Sequence, residues 1–127
     1  MADNVTAVSE LYELARRAKH VELRTRLHDD VTWDPAREGG WKPCTNADQV
    51  VRTLVWRADA NRMRPGEMIN VGDRVVVQLR GRRLDRLGGK GFVPRLFQVI
   101  VLRDGKVASI RDHPKREAAL ADAGLEG

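Results

Sequence analysis

Residues Asp104 to Arg116, DGKVASIRDHPKR, carry an apolar strand that finishes on a carboxylate. Side chains alternate along a strand, so Ala108, Ile110 and Asp112 share one face while Ser109 and Arg111 take the other. An aspartate on an apolar face loses hydration. Its pKa rises, and it can then hold or release a proton near neutral pH, as general acid/base catalysis requires. Asp112 is therefore the candidate acid/base. The same carboxylate equally suits an ion pair with Arg80 or Arg95, or a cap for a helix starting near Lys115. His113, its neighbour, points to the opposite face. Trp33, Trp41 and Trp56 offer aromatic surface to a flat apolar ligand, and serve equally for core or rim packing. His20, His28 and His113 are too scattered for a metal-ligand cluster, so no metal and no cofactor is expected. Cys44, the only cysteine, reads as a buried small hydrophobe.

The elements that must position these residues are legible as periodicities. Val8, Leu11, Tyr12, Ala15 and Ala18 recur at spacings of three and four, the apolar stripe of a helix over Val5–Ala18, with Tyr12 on its buried side. A short helix is expected over Val21–Leu27, followed by a strand, VTW, ending at Asp34 because Pro35 forces extended geometry before it. Asn46 caps a third helix with Gln49 reaching back, and Val50, Val51, Leu54 and Ala58 form its face until Pro65-Gly66. Strands EMINV, RVVVQLRGR, RLFQVIVLR and KVASIRD follow. Gly72-Asp73 and Asp104-Gly105 are their turn signals, LDRLGGKGFVP is a hairpin loop, and KREAALADAGLEG is a terminal helix stopped by Gly124.

At 127 residues the chain is expected to be a single domain over 1–127. A charged fraction of 32% beside a hydrophobic fraction of 42%, with no long apolar run, excludes a membrane span; the unexceptional amino terminus favours the cytoplasm. The net charge of +5 gathers at Arg80, Arg82, Arg83, Arg86, Lys90 and Arg95 against Asp85 alone, yet aromatics are only 5% and none interleaves before Phe92. A base-stacking platform is thus missing and nucleic acid is an unlikely partner. Around Gln98 both strand faces are greasy, Leu96, Gln98, Ile100 and Leu102 on one and Phe97, Val99 and Val101 on the other. The amino-terminal helices cover one face, so a second copy of the chain, a homodimer, is expected on the other.

This order of elements, closing on DGKVASIRDHPKREAALADAGL, resembles the SnoaL-like branch of the nuclear transport factor 2-like superfamily. The resemblance spans nearly the whole chain. It implies an α+β fold, a cone-shaped barrel of curved mixed or antiparallel sheet wrapped around the amino-terminal helices, with a pocket for a small apolar molecule. Limonene epoxide hydrolases end their last strand in a Trp-Arg-Asp-Tyr run whose aspartate is catalytic, and Ile110-Arg111-Asp112-His113 is similar to it. The hydrolases' Arg-x-Asp pair has no counterpart in RVVVQLRGRR. Ketosteroid isomerases use a first-helix tyrosine, an aspartate before a proline and an acid on the penultimate strand. Tyr12, Asp34 and Gln98 stand at similar positions, though the Asp30–Asp34 spacing is one residue shorter than the isomerase pattern. Polyketide cyclases of the SnoaL group use an aspartate on a late strand, as Asp112 would be. The resemblance therefore implies isomerase, cyclase or hydrolase chemistry by Asp112, Tyr12, Asp34 and Gln98. Trp33, Trp41, Trp56, Arg80, Ile100 and Ile110 would contact the ligand. The alternative within the same fold is a non-catalytic binding or dimerisation module.

Overall fold

The computed structural model describes residues 3–36, 41–82 and 95–125, with the side chain of Arg95 excepted. The loop LDRLGGKGFVP and the cluster members Arg83, Arg86 and Lys90 lie outside the described residues. Among the described residues nine elements follow one another: α1 (Asn4–Arg16), α2 (His20–Arg24), β1 (Leu27–Asp34), α3 (Ala47–Ala60), β2 (Arg64–Val71), β3 (Arg74–Arg80), β4 (Arg95–Arg103), β5 (Lys106–His113) and α4 (Arg116–Asp122).

The sheet runs β1-β5-β4-β3-β2, antiparallel throughout except for the parallel pair β1·β5. The fold is α+β with the expected curved sheet. That sheet is open, with β1 and β2 as its two edges, so the barrel is not closed among the described residues. The helices α1, α2 and α3 cover the inner face, where Val8, Leu11, Tyr12, Leu23, Val50 and Leu54 meet Val75, Val77, Leu79, Leu96, Ile100 and Ile110.

Caps fix the helix starts. Asp3 accepts from the Thr6 amide at 2.7 Å and Asn46 from the Gln49 amide at 2.9 Å, while the Gln49 side chain accepts from Thr45 N at 2.7 Å. Three boundaries differ from the periodicity. The first helix ends at Arg16 because Ala18 takes a left-handed φ of +53°, which leaves Ala18 exposed. The second stops at Arg24, and Leu27 opens β1 instead. The third stops at Ala60, where Arg62 (φ +50°) turns the chain, and Pro65 and Gly66 lie within β2. Proline is tolerated there because β2 is an edge strand with a register shift between Pro65 and Met68.

Asp104 and Gly105, at φ +56° and +77°, make the tight β4–β5 hairpin. Gly81 is required by a close approach: a β-carbon there would collide with the Asn61 carbonyl oxygen, at the end of α3. The outer face of the sheet is partly covered by the chain itself. Val76, Phe97 and Val99 pack with Ala119 and Ala123, and Asp122 holds Arg111 (2.6 Å) and His113 (2.9 Å), fastening α4 down. This cover takes in Phe97 and Val99 of the second greasy face, while Val101 is half-buried.

Candidate functional site

The inner cluster is built around Asp112, the penultimate residue of β5, which is 2% exposed. Its cross-strand partner on β4 is Gln98, and residues directly opposite share a face. Gln98 Nε2 donates to Asp112 Oδ1 at 2.9 Å, and Trp33 Nε1, from β1 on the other side, donates to the same oxygen at 2.8 Å. Tyr12 on α1 donates its hydroxyl to Gln98 Oε1. The direction is uniform: Tyr12 fixes the Gln98 amide, which leaves Nε2 for the carboxylate.

The second oxygen, Asp112 Oδ2, has no hydrogen-bond partner among the described residues. Its nearest cation is Arg57 Nη1 of α3, at 3.6 Å, a Coulombic contact too long for a hydrogen bond. The guanidinium lies against two indoles, 4.5 Å from the Trp33 centroid and 4.4 Å from that of Trp41, and the two rings meet edge to face at 5.6 Å. Nε and Nη1 of Arg57, like Trp41 Nε1, are buried without a partner among the described residues. Buried polar atoms nearly always find one, so the unpaired Asp112 Oδ2 and Arg57 Nη1, 3.6 Å apart and both closed off from solvent, are exceptions to that rule.

Electrostatics follow from burial. Desolvation pushes the Asp112 carboxyl from 3.8 up to about 6, although Arg57, the Trp33 and Gln98 hydrogen bonds, and His113 all favour the ionised form. Burial, with the Asp112 charge adding to it, raises the Tyr12 hydroxyl well above its ordinary value, so it remains a donor. Arg57 is lowered by burial and held up by Asp112, and a guanidinium remains cationic. The site thus holds one carboxyl poised near neutrality, one fixed cation and a chain of neutral donors.

The described chain forms a curved, open α+β sheet. No family model and no curated protein matches it. Solved structures do: an NTF2-like protein of unknown function from Burkholderia pseudomallei shares 21% identity over 95% of this chain and 97% of that one, at a TM-score of 0.61. The chain has the nuclear transport factor 2-like fold. A putative polyketide cyclase from Sinorhizobium meliloti superposes with a TM-score of 0.62 at 18% identity, covering 84% of this chain and 93% of its own. TerC, co-crystallised with polyporic acid, gives 0.62 at 22% identity over 95% and 98%. At these identities the likeness is one of fold.

On this nuclear transport factor 2-like scaffold the expected site residues divide. Tyr12, Gln98, Asp112 and Trp33 meet directly, with Trp41 reaching the cluster through Arg57. Ile100 and Ile110 are fully buried in the inner core. Three placements correct the expectation. Asp34 is exposed, because alternation along β1 turns Trp33 inward and its neighbour out. Arg80 is exposed on β3, whose inward set is Val75, Val77 and Leu79. Trp56 is 63% exposed on the outer side of α3 and so takes no part in the Asp112 cluster. The partner of Asp112 is neither Arg80 nor a helix cap but Arg57. Its signal was present: Arg57 follows Leu54 by three and Val50 by seven, on the apolar stripe of α3 where a cation requires a partner. Among the described residues no group of three His, Cys, Asp or Glu side chains could hold a metal, and no helix is long and apolar enough to cross a membrane.

Proposed function

We propose that this protein binds a small, largely apolar molecule and acts on it by proton transfer at Asp112, in an isomerisation, cyclisation or hydration. The observation that carries the reading is the asymmetry of one carboxyl group: Oδ1 is held by Trp33 and Gln98 while Oδ2 has no hydrogen-bond partner among the described residues. A base must be fixed and unpaired at its reacting atom, with a pKa near the working pH; Oδ2 is unpaired and buried, so a substrate must open the packing around it. The value of about 6 suits that. Gln98 and Trp33 act as positioning residues, Tyr12 positions Gln98, and Arg57 supplies the charge against which a developing anion is stabilised. A putative polyketide cyclase among the similar structures, and TerC, crystallised with polyporic acid, lend support at the level of fold.

The test is deuterium exchange into carbon acids. Cyclic ketones such as 2-tetralone are incubated in heavy water with wild type and with Asp112→Asn, and loss of the α-proton signal is followed by NMR. Wild type is expected to exceed the variant by about 100-fold or more, the usual contribution of a positioned base, with a rate rising through pH 6. Equal rates overturn the proposal.

A second reading is favoured by the 3.6 Å Arg57–Asp112 contact: a buried ion pair that serves the fold alone. It predicts no exchange by either protein.

A further inference from the structure

We propose that the open groove between α3 and the Lys42–Cys44 segment is a second binding site, for a planar organic anion of the aromatic carboxylate class. It goes beyond the Asp112 reading and rests chiefly on Lys42, Arg52 and Trp56, sharing only Arg57 with that site. The groove encloses about 570 Å³, within the range of small-molecule sites. Three cations line it, Lys42, Arg52 and Arg57, and among the described residues no carboxylate does. Among the described residues neither Lys42 nor Arg52 has an acidic group within 4.0 Å. One sign of charge along a concave wall concentrates the field and draws an anion.

Arg57, 3% exposed and 3.6 Å from Asp112, lines the groove and adds its charge to the field there. Trp56 sets the shape of the ligand. The indole is 63% exposed at the groove, and Arg52, four residues earlier, is its neighbour on the helix surface. A flat ring can stack on the indole while its carboxylate meets the Arg52 fork in two parallel hydrogen bonds. A bare inorganic anion would leave Trp56 unused. A neutral apolar ligand would leave the cations unmatched.

Equilibrium dialysis tests this with 2-naphthoate, its cationic isostere 2-naphthylmethylammonium, and inorganic phosphate, against wild type, Trp56→Ala and Arg52→Gln. Both substituted side chains are exposed, and unchanged melting by circular dichroism establishes that the variants are folded. The expected result is saturable binding of 2-naphthoate that weakens with salt and falls about tenfold in each variant, with neither the ammonium nor phosphate competing. Amide shifts on 2-naphthoate addition should fall on α3 around Arg52 and Trp56. No saturable binding, equal binding of the ammonium isostere, unchanged affinity in Trp56→Ala, or shifts centred on Gln98 and Asp112 would each overturn the proposal.

Discussion

Gln98 and Asp112 face each other across β4 and β5, and they do so only because Ala108 is an extra residue in β5. The hairpin pairs Arg103 with Lys106 and Leu102 with Val107, whereas beyond the shift Val101 pairs with Ser109 and Gln98 with Asp112. Carried on without the bulge, the hairpin register would set Asp112 opposite Phe97, whose side chain belongs to the outer cluster. A slip of one residue exchanges the faces of a strand. The bulge is what keeps the carboxylate inside.

The first prediction concerns pH. The Asp112 carboxyl is raised from 3.8 to about 6, so the folded protein holds this proton more tightly than the unfolded chain. The group's contribution to stability is fully present below about pH 4 and is lost as pH rises through about 6, a change of about 3 kcal/mol between the ordinary and the raised value. Urea unfolding of wild type and Asp112→Asn from pH 4 to pH 7 isolates it. The difference between the two should move against wild type with rising pH, and parallel profiles would contradict the assignment.

Removing the Trp33 donor should move the same titration upward. The indole N–H stabilises the ionised carboxylate, so Trp33→Phe leaves Oδ1 with Gln98 alone and raises the Asp112 midpoint above about 6. The smaller ring also leaves a cavity beside Arg57, costing about 1–3 kcal/mol. Carboxyl carbon shifts in labelled protein report the midpoint directly; an unchanged or lowered value would count against the hydrogen bond.

How far the sequence could have led to this arrangement depends on the residue. Tyr12 follows from the α1 stripe, and Ile110 with Asp112 from strand parity, because both signals are local and periodic. Asp34 fails because its face depends on where β1 joins the sheet, and β1 is paired in parallel to a strand nearly eighty residues away. The Ala108 bulge has no local mark, and the parity of Ala108, Ile110 and Asp112 conceals that Val107 is also inward. The helical cover of the outer face was legible only as a terminal helix, since nothing in KREAALADAGLEG states that Asp122 will hold Arg111 and His113. Arg57 is the instructive omission: reading its stripe for apolar residues alone passes over the cation that defines the site.

Tyr12→Phe tests the outermost link. It deletes the donor to Gln98 Oε1 and leaves a buried amide oxygen without a partner, which costs about 1–3 kcal/mol although the ring is retained. Because the freed amide can rotate, exchange of the Gln98 side-chain NH2 with solvent should quicken. A variant with the stability and NH2 exchange of wild type would show that the Tyr12–Gln98 bond holds nothing in place.

The last prediction separates a structural ion pair from a poised base by a double-mutant cycle on Arg57 and Asp112. Asp112→Asn alone leaves the guanidinium buried between two indoles with no carboxylate beside it, and Arg57→Met alone leaves the carboxylate without its cation. Stripping one partner from a buried pair typically costs about 3–5 kcal/mol, because the survivor is an uncompensated charge. The carboxylate has an escape that the guanidinium lacks. With its pKa already near 6 it can take up a proton once Arg57 is gone, so Arg57→Met should be the milder change below pH 6 and should push the Asp112 midpoint higher still. The double variant should lose clearly less than the two single losses summed, a coupling energy of about 1–3 kcal/mol in urea unfolding at pH 7. Additive effects of the two substitutions would mean that the 3.6 Å contact carries no energy, and that Arg57 is held by Trp33 and Trp41 alone.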